Sequence, residues 1–293
     1  MRYQKIIYIF LYMRIIYSYI NDFLLNNIKA NNIRKNINEQ LNKNYKSLSY
    51  VKAKQILHNE VNTIDIYGDN ENEKNVEHVF PQCYFKNRTD KLILKSDLHN
   101  LYLCNTKLNS QRQNFKYITH EDYIDHVNDH YIDQKGNNLH AKDIFDKQGY
   151  IMMMNKKNKK FIPTMYSRGM ISRSLAYFSI KYNLLDELKN VIDIKTLIEW
   201  NLKDPPCDLE YHKNIICYKY QKNVNPFIID TDLMIYAFSD IYKADDEMLQ
   251  KKKNAIINPL YSIDVLLNDI DVLENKNKQL LRKNTLLSNK LIK

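Results

Sequence analysis

Glycine is nearly missing: four residues in a chain of 293. Architectures that lean on glycine are thereby disfavoured. Neither GxGxxG nor GxxxxGK(S/T) occurs, which argues against a Rossmann or P-loop nucleotide site. Cysteine is scarce as well. Cys83, Cys104, Cys207 and Cys217 form no CxxC, so a zinc ribbon is not expected and a dense disulfide framework is excluded by number. A reducing compartment is the reading favoured by this cysteine use. The apolar, aromatic segment from Ile6 to Ile20 is interrupted by Arg14 and is too short for a comfortable transmembrane helix. No small-residue cleavage site clearly follows it. A packing helix, a signal and an anchor stay open for this segment, in that order. Intracellular location is slightly favoured over secretion, and no membrane partner is assigned.

What is present is globular. Hydrophobic residues make up 44% and charged residues 27%, which excludes a wholly disordered chain. The length allows one or two domains and a real core. The net charge of +10 comes from Lys and Arg spread along the chain. It suits an acidic partner: nucleic acid, an anionic membrane or an acidic protein.

Residues 1–46 read as an extension, apolar first and then rich in Asn and Lys. Ser47 or Ser49 is a candidate cap for a helix running to about Val61. Short β-prone runs follow at Asn62–Tyr67, Val76–Phe80 and Leu98–Leu103, then a short polar helix at Thr106–Phe115. Residues 116–160 read as irregular, with a Lys-rich run at 156–160 that is either a solvated turn or a track for a nucleic-acid backbone. Met170–Tyr182 is a helix with Ile171, Leu175, Phe178 and Tyr182 on one face. Helix continues over Leu185–Leu202, stops at Pro205-Pro206 and resumes at Leu209–Tyr220. In the last 31 residues Leu266, Leu273, Leu280 and Leu287 recur every seven positions, with Ile263, Ile270, Asn277, Asn284 and Leu291 as companions. A stripe that holds for four heptads predicts a coiled coil.

One constellation carries chemistry. Glu77 and His78 sit at the end of a β-prone run, and Asn109 and Arg112 share a face of the helix that follows the next strand. Glu77 and Asn109 offer the hard oxygen ligands that Mg²⁺ prefers, with water filling its other positions. His78, with an ordinary pKa near 6.5, suits proton removal from an attacking water. The fork of Arg112 matches a phosphate. His120, His126, His130 and His140 show no closed ligand set for zinc and read as solvated loop residues.

The motifs Asn75-Val76-Glu77-His78-Val79-Phe80-Pro81-Gln82, Asp97-Leu98-His99-Asn100-Leu101 and Lys107-Leu108-Asn109-Ser110-Gln111-Arg112-Gln113-Asn114 follow one another in the chain. After them come Phe161-Ile162-Pro163, Arg168-Gly169-Met170-Ile171-Ser172-Arg173, Leu197-Ile198-Glu199-Trp200, Asp204-Pro205 and Gln221-Lys222-Asn223-Val224-Asn225-Pro226-Phe227. In this order they resemble the endonuclease I family of non-specific nucleases, in the ββα-metal (His-Me finger) group, over roughly residues 47–230. The resemblance implies an α+β fold, with a ββα-metal finger core embedded in a mainly helical domain. It implies His78 as general base, one divalent ion on Glu77 and Asn109, and cleavage of DNA or RNA with little sequence preference. Arg173 matches a family Arg; the helix pattern points it away from the apolar stripe, towards the site or solvent. Asn223 and Asn225 are expected to shape the fold beside the site. Three positions depart from the family pattern. Gln113 replaces a small residue, and Lys222 and Val224 replace Gly and Arg; these bear on local backbone geometry rather than on the ligands.

The expected organisation is an extension at 1–46, a nuclease domain at 47–240, a linker at 241–262 and a coiled-coil helix at 263–293 that could form a homodimer. The leading function is an Mg²⁺-dependent endonuclease. The alternatives are an inactive nucleic-acid-binding protein of the same fold, and an interaction protein organised by the last helix.

Overall fold

The computed structural model describes residues 29–61, 65–67, 74–119, 131–133, 138–139 and 153–242. The expectations for the amino-terminal apolar segment, for His120, His126, His130 and His140, and for the heptads at 263–293 fall outside these residues.

Helix α1 (Ala30–Lys43) buries Ala30, Ile33, Ile37 and Leu41, spaced three or four apart so that one face is apolar. On the same helix Arg34 forks onto the Asp240 carboxylate at 2.7 Å and also reaches Ala237 O. The stretch read as an extension thus includes a helix built into the core. Helix α2 (Tyr50–Glu60) starts at Ser49, whose hydroxyl accepts from Lys52 N–H at 3.2 Å. This is an N-cap serving one of the orphan donors of the first turn.

Strand β1 (Lys74–His78) pairs antiparallel with β2 (Leu101–Asn105), Glu77 opposite Tyr102 and His78 opposite Leu101. Between them lies α3 (Lys91–Lys95). Leu98–Asn100, predicted as the start of a strand, forms a 3-10 turn because Asp97 Oδ1 accepts from His99 N–H. Asn105 caps α4 (Thr106–Arg112), accepting from Lys107 and Leu108 N–H.

The region read as irregular contains a second sheet of short strands. Their order is β3 (Lys116–Tyr117), β7 (Lys160–Ile162), β6 (Met153–Asn155), β4 (Tyr131–Ile132), β5 (Asn138–Leu139). Lys156, Lys157 and Lys159 occupy the exposed turn between β6 and β7.

Helix α5 (Arg168–Lys181) is the core of the described body. It packs on α1, on α6 (Leu185–Val191), on α7 (Ile194–Lys203) and on α9 (Pro226–Ile229). Almost every residue from Gly169 to Lys181 is buried, so its predicted single apolar face is in fact surrounded. Gly169 permits the close approach of the loop after α7: a Cβ there would lie 2.1 Å from Asp204 O. The single helix predicted at 185–202 is two. Ile192 is extended and bridges to Tyr117 of β3, which interrupts the helical bonding. Helix α8 (Asp208–Gln221) ends on Lys222 at φ 60°, ψ 27°, a left-handed cap that usually takes glycine. The body closes with α10 (Leu233–Ala237). The architecture is α+β, mostly helical with small sheets.

Candidate active site

Helix α4 follows β2 directly and lies against β1. Two contacts fix it there. Asn109 Nδ2 donates to Val76 O at 3.0 Å. Arg112 Nη1 sits 2.8 Å from Glu77 Oε1, Nη2 donates to Val79 O at 3.2 Å, and the guanidinium lies 4.5 Å over the Tyr117 ring. Nη1 also donates to Gln113 O at 3.0 Å. The spacing that put Asn109 and Arg112 on one helical face therefore brings both against the strand of Glu77 and His78.

Arg112, the residue expected to clamp a phosphate, lies inside the fold. Its side chain is 1% exposed, and its guanidinium faces protein acceptors and an aromatic ring. Helix spacing reports which face a residue occupies, not whether that face meets solvent.

Glu77 is buried; its Oε1 accepts from Tyr67 O–H at 2.9 Å and forms the ion pair with Arg112. Oε2 takes no donor from the described residues. Burial raises the carboxyl pKa, and Arg112 and then Tyr67 oppose that without cancelling it. For Asn109, spending Nδ2 on Val76 O directs the amide oxygen the other way.

His78 is 6% exposed. Nε2 lies 2.9 Å from Lys95 O, and Gln82 Nε2 lies 3.2 Å from Nδ1. A carbonyl only accepts, so the proton belongs on Nε2 and the lone pair on Nδ1, towards exposed Gln82. Burial pushes the imidazole pKa down to about 4; the Lys95 carbonyl resists this, and the Lys95 and Arg112 charges add to it. The ring is neutral through the neutral pH range, with Gln82 Nε2 donating to its Nδ1 lone pair.

The turn carrying His78 is fastened by Asn100 and Asp97, whose roles the sequence alone does not assign, and by the closing motif. Asn100 Oδ1 accepts from Phe80 N–H at 2.7 Å and its Nδ2 donates to Phe80 O at 3.2 Å. One side chain thus satisfies both backbone groups two residues after His78. Asp97, fully buried, accepts from Lys181 Nζ at 2.9 Å, Tyr182 O–H at 2.7 Å, Tyr177 O–H at 3.1 Å and Gln221 Nε2 at 3.0 Å. Burial alone would raise its pKa; Lys181, His99 and these donors hold it well below the usual carboxylate range. Gln221 Oε1 accepts from Leu98 N–H, Asn223 Nδ2 donates to Tyr177 Oη, and Asn225 Nδ2 to Arg173 O. The closing motif braces the floor beneath the turn. Clusters of polar residues twenty or a hundred positions apart signalled the motifs, but not their pairing.

Arg173 is 1% exposed and forks onto Glu210, with Nε donating to Oε1 at 2.9 Å. Its Nη1 also donates to Asp204 O at 2.7 Å. It neither stays solvated nor touches Glu77, His78, Asn109 or Arg112 through any of these bonds. The two departures from family glycine or small residues sit where the backbone has positive φ: Gln113 at φ 53°, ψ −124° and Lys222 at φ 60°.

Among the described residues no three His, Cys, Asp or Glu gather in a metal-holding group, and no helix is long and apolar enough to cross a membrane. The family model described as Endonuclease I matches residues 20–232. No curated protein matches the chain.

Proposed function

Because the chain belongs to the endonuclease I family, a family of nucleases, we propose that it is an Mg²⁺-dependent endonuclease. It hydrolyses phosphodiester bonds of DNA or RNA with little sequence preference. The observation that carries this reading is His78, held in one tautomer by Lys95 O with its Nδ1 lone pair beside an exposed side chain.

In this reading Nδ1 takes a proton from the attacking water, and Lys95 O steadies the imidazolium that results. The water oxygen forms a bond to phosphorus as the bond to the leaving oxygen breaks. Glu77 Oε2 and Asn109 Oδ1 would hold the divalent ion. The donor chemistry fits: two oxygens from the protein leave room for the waters Mg²⁺ retains, and a three-carboxylate cage is not required. When bound, such an ion polarises the phosphodiester and stabilises the departing oxygen. Arg112 acts as a positioning residue, fixing Glu77 and locking α4 to β1. Arg173 braces α5 against α8. β1, β2 and α4 form the ββα-metal unit of this proposal. The domain limits expected at 47–240 and 263–293 belong to it too, with the last segment joining two copies as a coiled coil.

A plasmid-nicking assay tests it. Nicking is expected with Mg²⁺ and not with chelator, and His78→Ala should slow it by roughly 10²–10⁴-fold. Wild-type cutting by that variant would remove His78 from its role. Binding without metal-dependent cutting would favour the inactive relative.

A further inference from the structure

Beside His78 lies a cluster to which no role has been given. The Tyr50 ring is 5.7 Å from the imidazole, centroid to centroid. Two ammonium groups approach the same ring: Lys95 Nζ at 4.6 Å and Lys54 Nζ at 5.2 Å from its centroid. They arrive from different elements, Lys54 one turn along α2 and Lys95 at the end of α3. Lys54 is exposed and Lys95 half-buried. Elsewhere on the body Lys116, Lys189, Lys203 and Lys219 each meet a carboxylate. These two meet none among the described residues. Two ammonium groups gathered on one ring repel each other, and the negative face of the ring offsets that only in part. An anion between them would relieve the repulsion.

We propose that Lys54, Lys95 and Tyr50 form a subsite for the sugar-phosphate backbone next to the scissile phosphate. The lysines bind the non-bridging oxygens of a neighbouring phosphodiester, and Tyr50 keeps both charges at the edge of the imidazole. The inference rests on the nuclease reading, which makes that backbone the substrate. Lys95 supplies the register. Its carbonyl receives His78 Nε2–H at 2.9 Å, so a strand gripped by its ammonium is held at a fixed offset from the base.

The test uses the full chain in chelator, where nothing is cut, with a fluorescent single-stranded oligonucleotide. Affinity is measured by anisotropy over a range of salt. Lys54→Gln and Lys95→Gln should each flatten the slope of log K against log salt by about 0.7, and the pair by about 1.4. Lys95→Gln keeps the backbone carbonyl, so the hydrogen bond to His78 survives. Lys203→Gln removes the same charge from α7 and should leave the slope as it was. Unchanged slopes in folded Lys54→Gln and Lys95→Gln, checked by thermal melting, overturn the subsite. Absence of cutting by the wild type with Mg²⁺ counts instead against the nuclease reading, so the two failures are told apart.

Discussion

Removing Arg112 separates a structural guanidinium from one that binds substrate. In Arg112→Ala the Glu77 carboxylate, 3% exposed in its side chain, loses the charged neighbour on Oε1 and keeps Tyr67 O–H. Breaking a buried pair from one side costs about 3–5 kcal/mol, mostly for the uncompensated charge left behind. The loss of the guanidinium from the Tyr117 face adds about 0.5–2 kcal/mol. The protein can escape part of this by protonating Glu77. Its folded pKa already lies above the ordinary value through burial, and removing the cation raises it further. The folded state then binds more protons than the unfolded chain over a wider window, and stability falls as pH rises through that window. The cost of Arg112→Ala should therefore be larger at about pH 8 than at about pH 5. Urea denaturation at both pH values measures it, and Glu77→Gln/Arg112→Met should recover much of the loss, since it removes both charges together. A cost below about 1 kcal/mol at both pH values, as for a solvated surface pair, would refute the buried role and return Arg112 to the phosphate.

Other outcomes follow from the same packing. An NMR titration of the His78 ring should show a midpoint near 4; the base is neutral above it and lost below it, and a midpoint near 6.5 would contradict the burial argument. Lys213, bonded to Leu101 O at 2.8 Å, is pushed by burial down to about 7. The unfolded chain then binds more protons between that value and the ordinary 10.5, so stability should rise with pH across the window, and Lys213→Met should flatten the rise seen by denaturation. Gln113→Gly and Lys222→Gly should each raise stability by about 1 kcal/mol by relieving positive φ, whereas alanine at either position should not. Residues 263–293 should make the chain dimeric by light scattering at micromolar concentration; a monomer unaffected by their deletion would exclude the coiled coil.

Much of this body was readable residue by residue. Ser47 or Ser49 announces α2 because a hydroxyl before a helical run serves its orphan donors, and Ser49 is the one that does so. The β1 run and the α4 face are visible in period, and the departures at Gln113 and Lys222 fall where the backbone has positive φ. Helix α1 was missed although Ile33, Ile37 and Leu41 are four apart, because the Asn- and Lys-rich surroundings hid a narrow stripe. The break at Ile192 depends on Tyr117, 75 positions earlier in the bridge that joins them, and no local pattern reports such a partner. The same holds for Arg112 and Arg173. Their charge suggested an outward role, while the carboxylates that receive them, Glu77 and Glu210, become neighbours only after folding.

The anchoring of Asp97 has a consequence in time. Its turn is made early in synthesis, but Gln221, which donates to it, lies 124 residues downstream. At a translation rate of about 5–20 residues per second, the carboxylate waits on the order of 6–25 s for that partner. Lys181 and Tyr182 emerge in the interval, before the last donor completes the set. The strand that carries Glu77 and His78 therefore exists as nascent chain well before the floor beneath it can close. A ribosome-bound chain stopped short of Gln221 holds the candidate site residues without the support that fixes their turn.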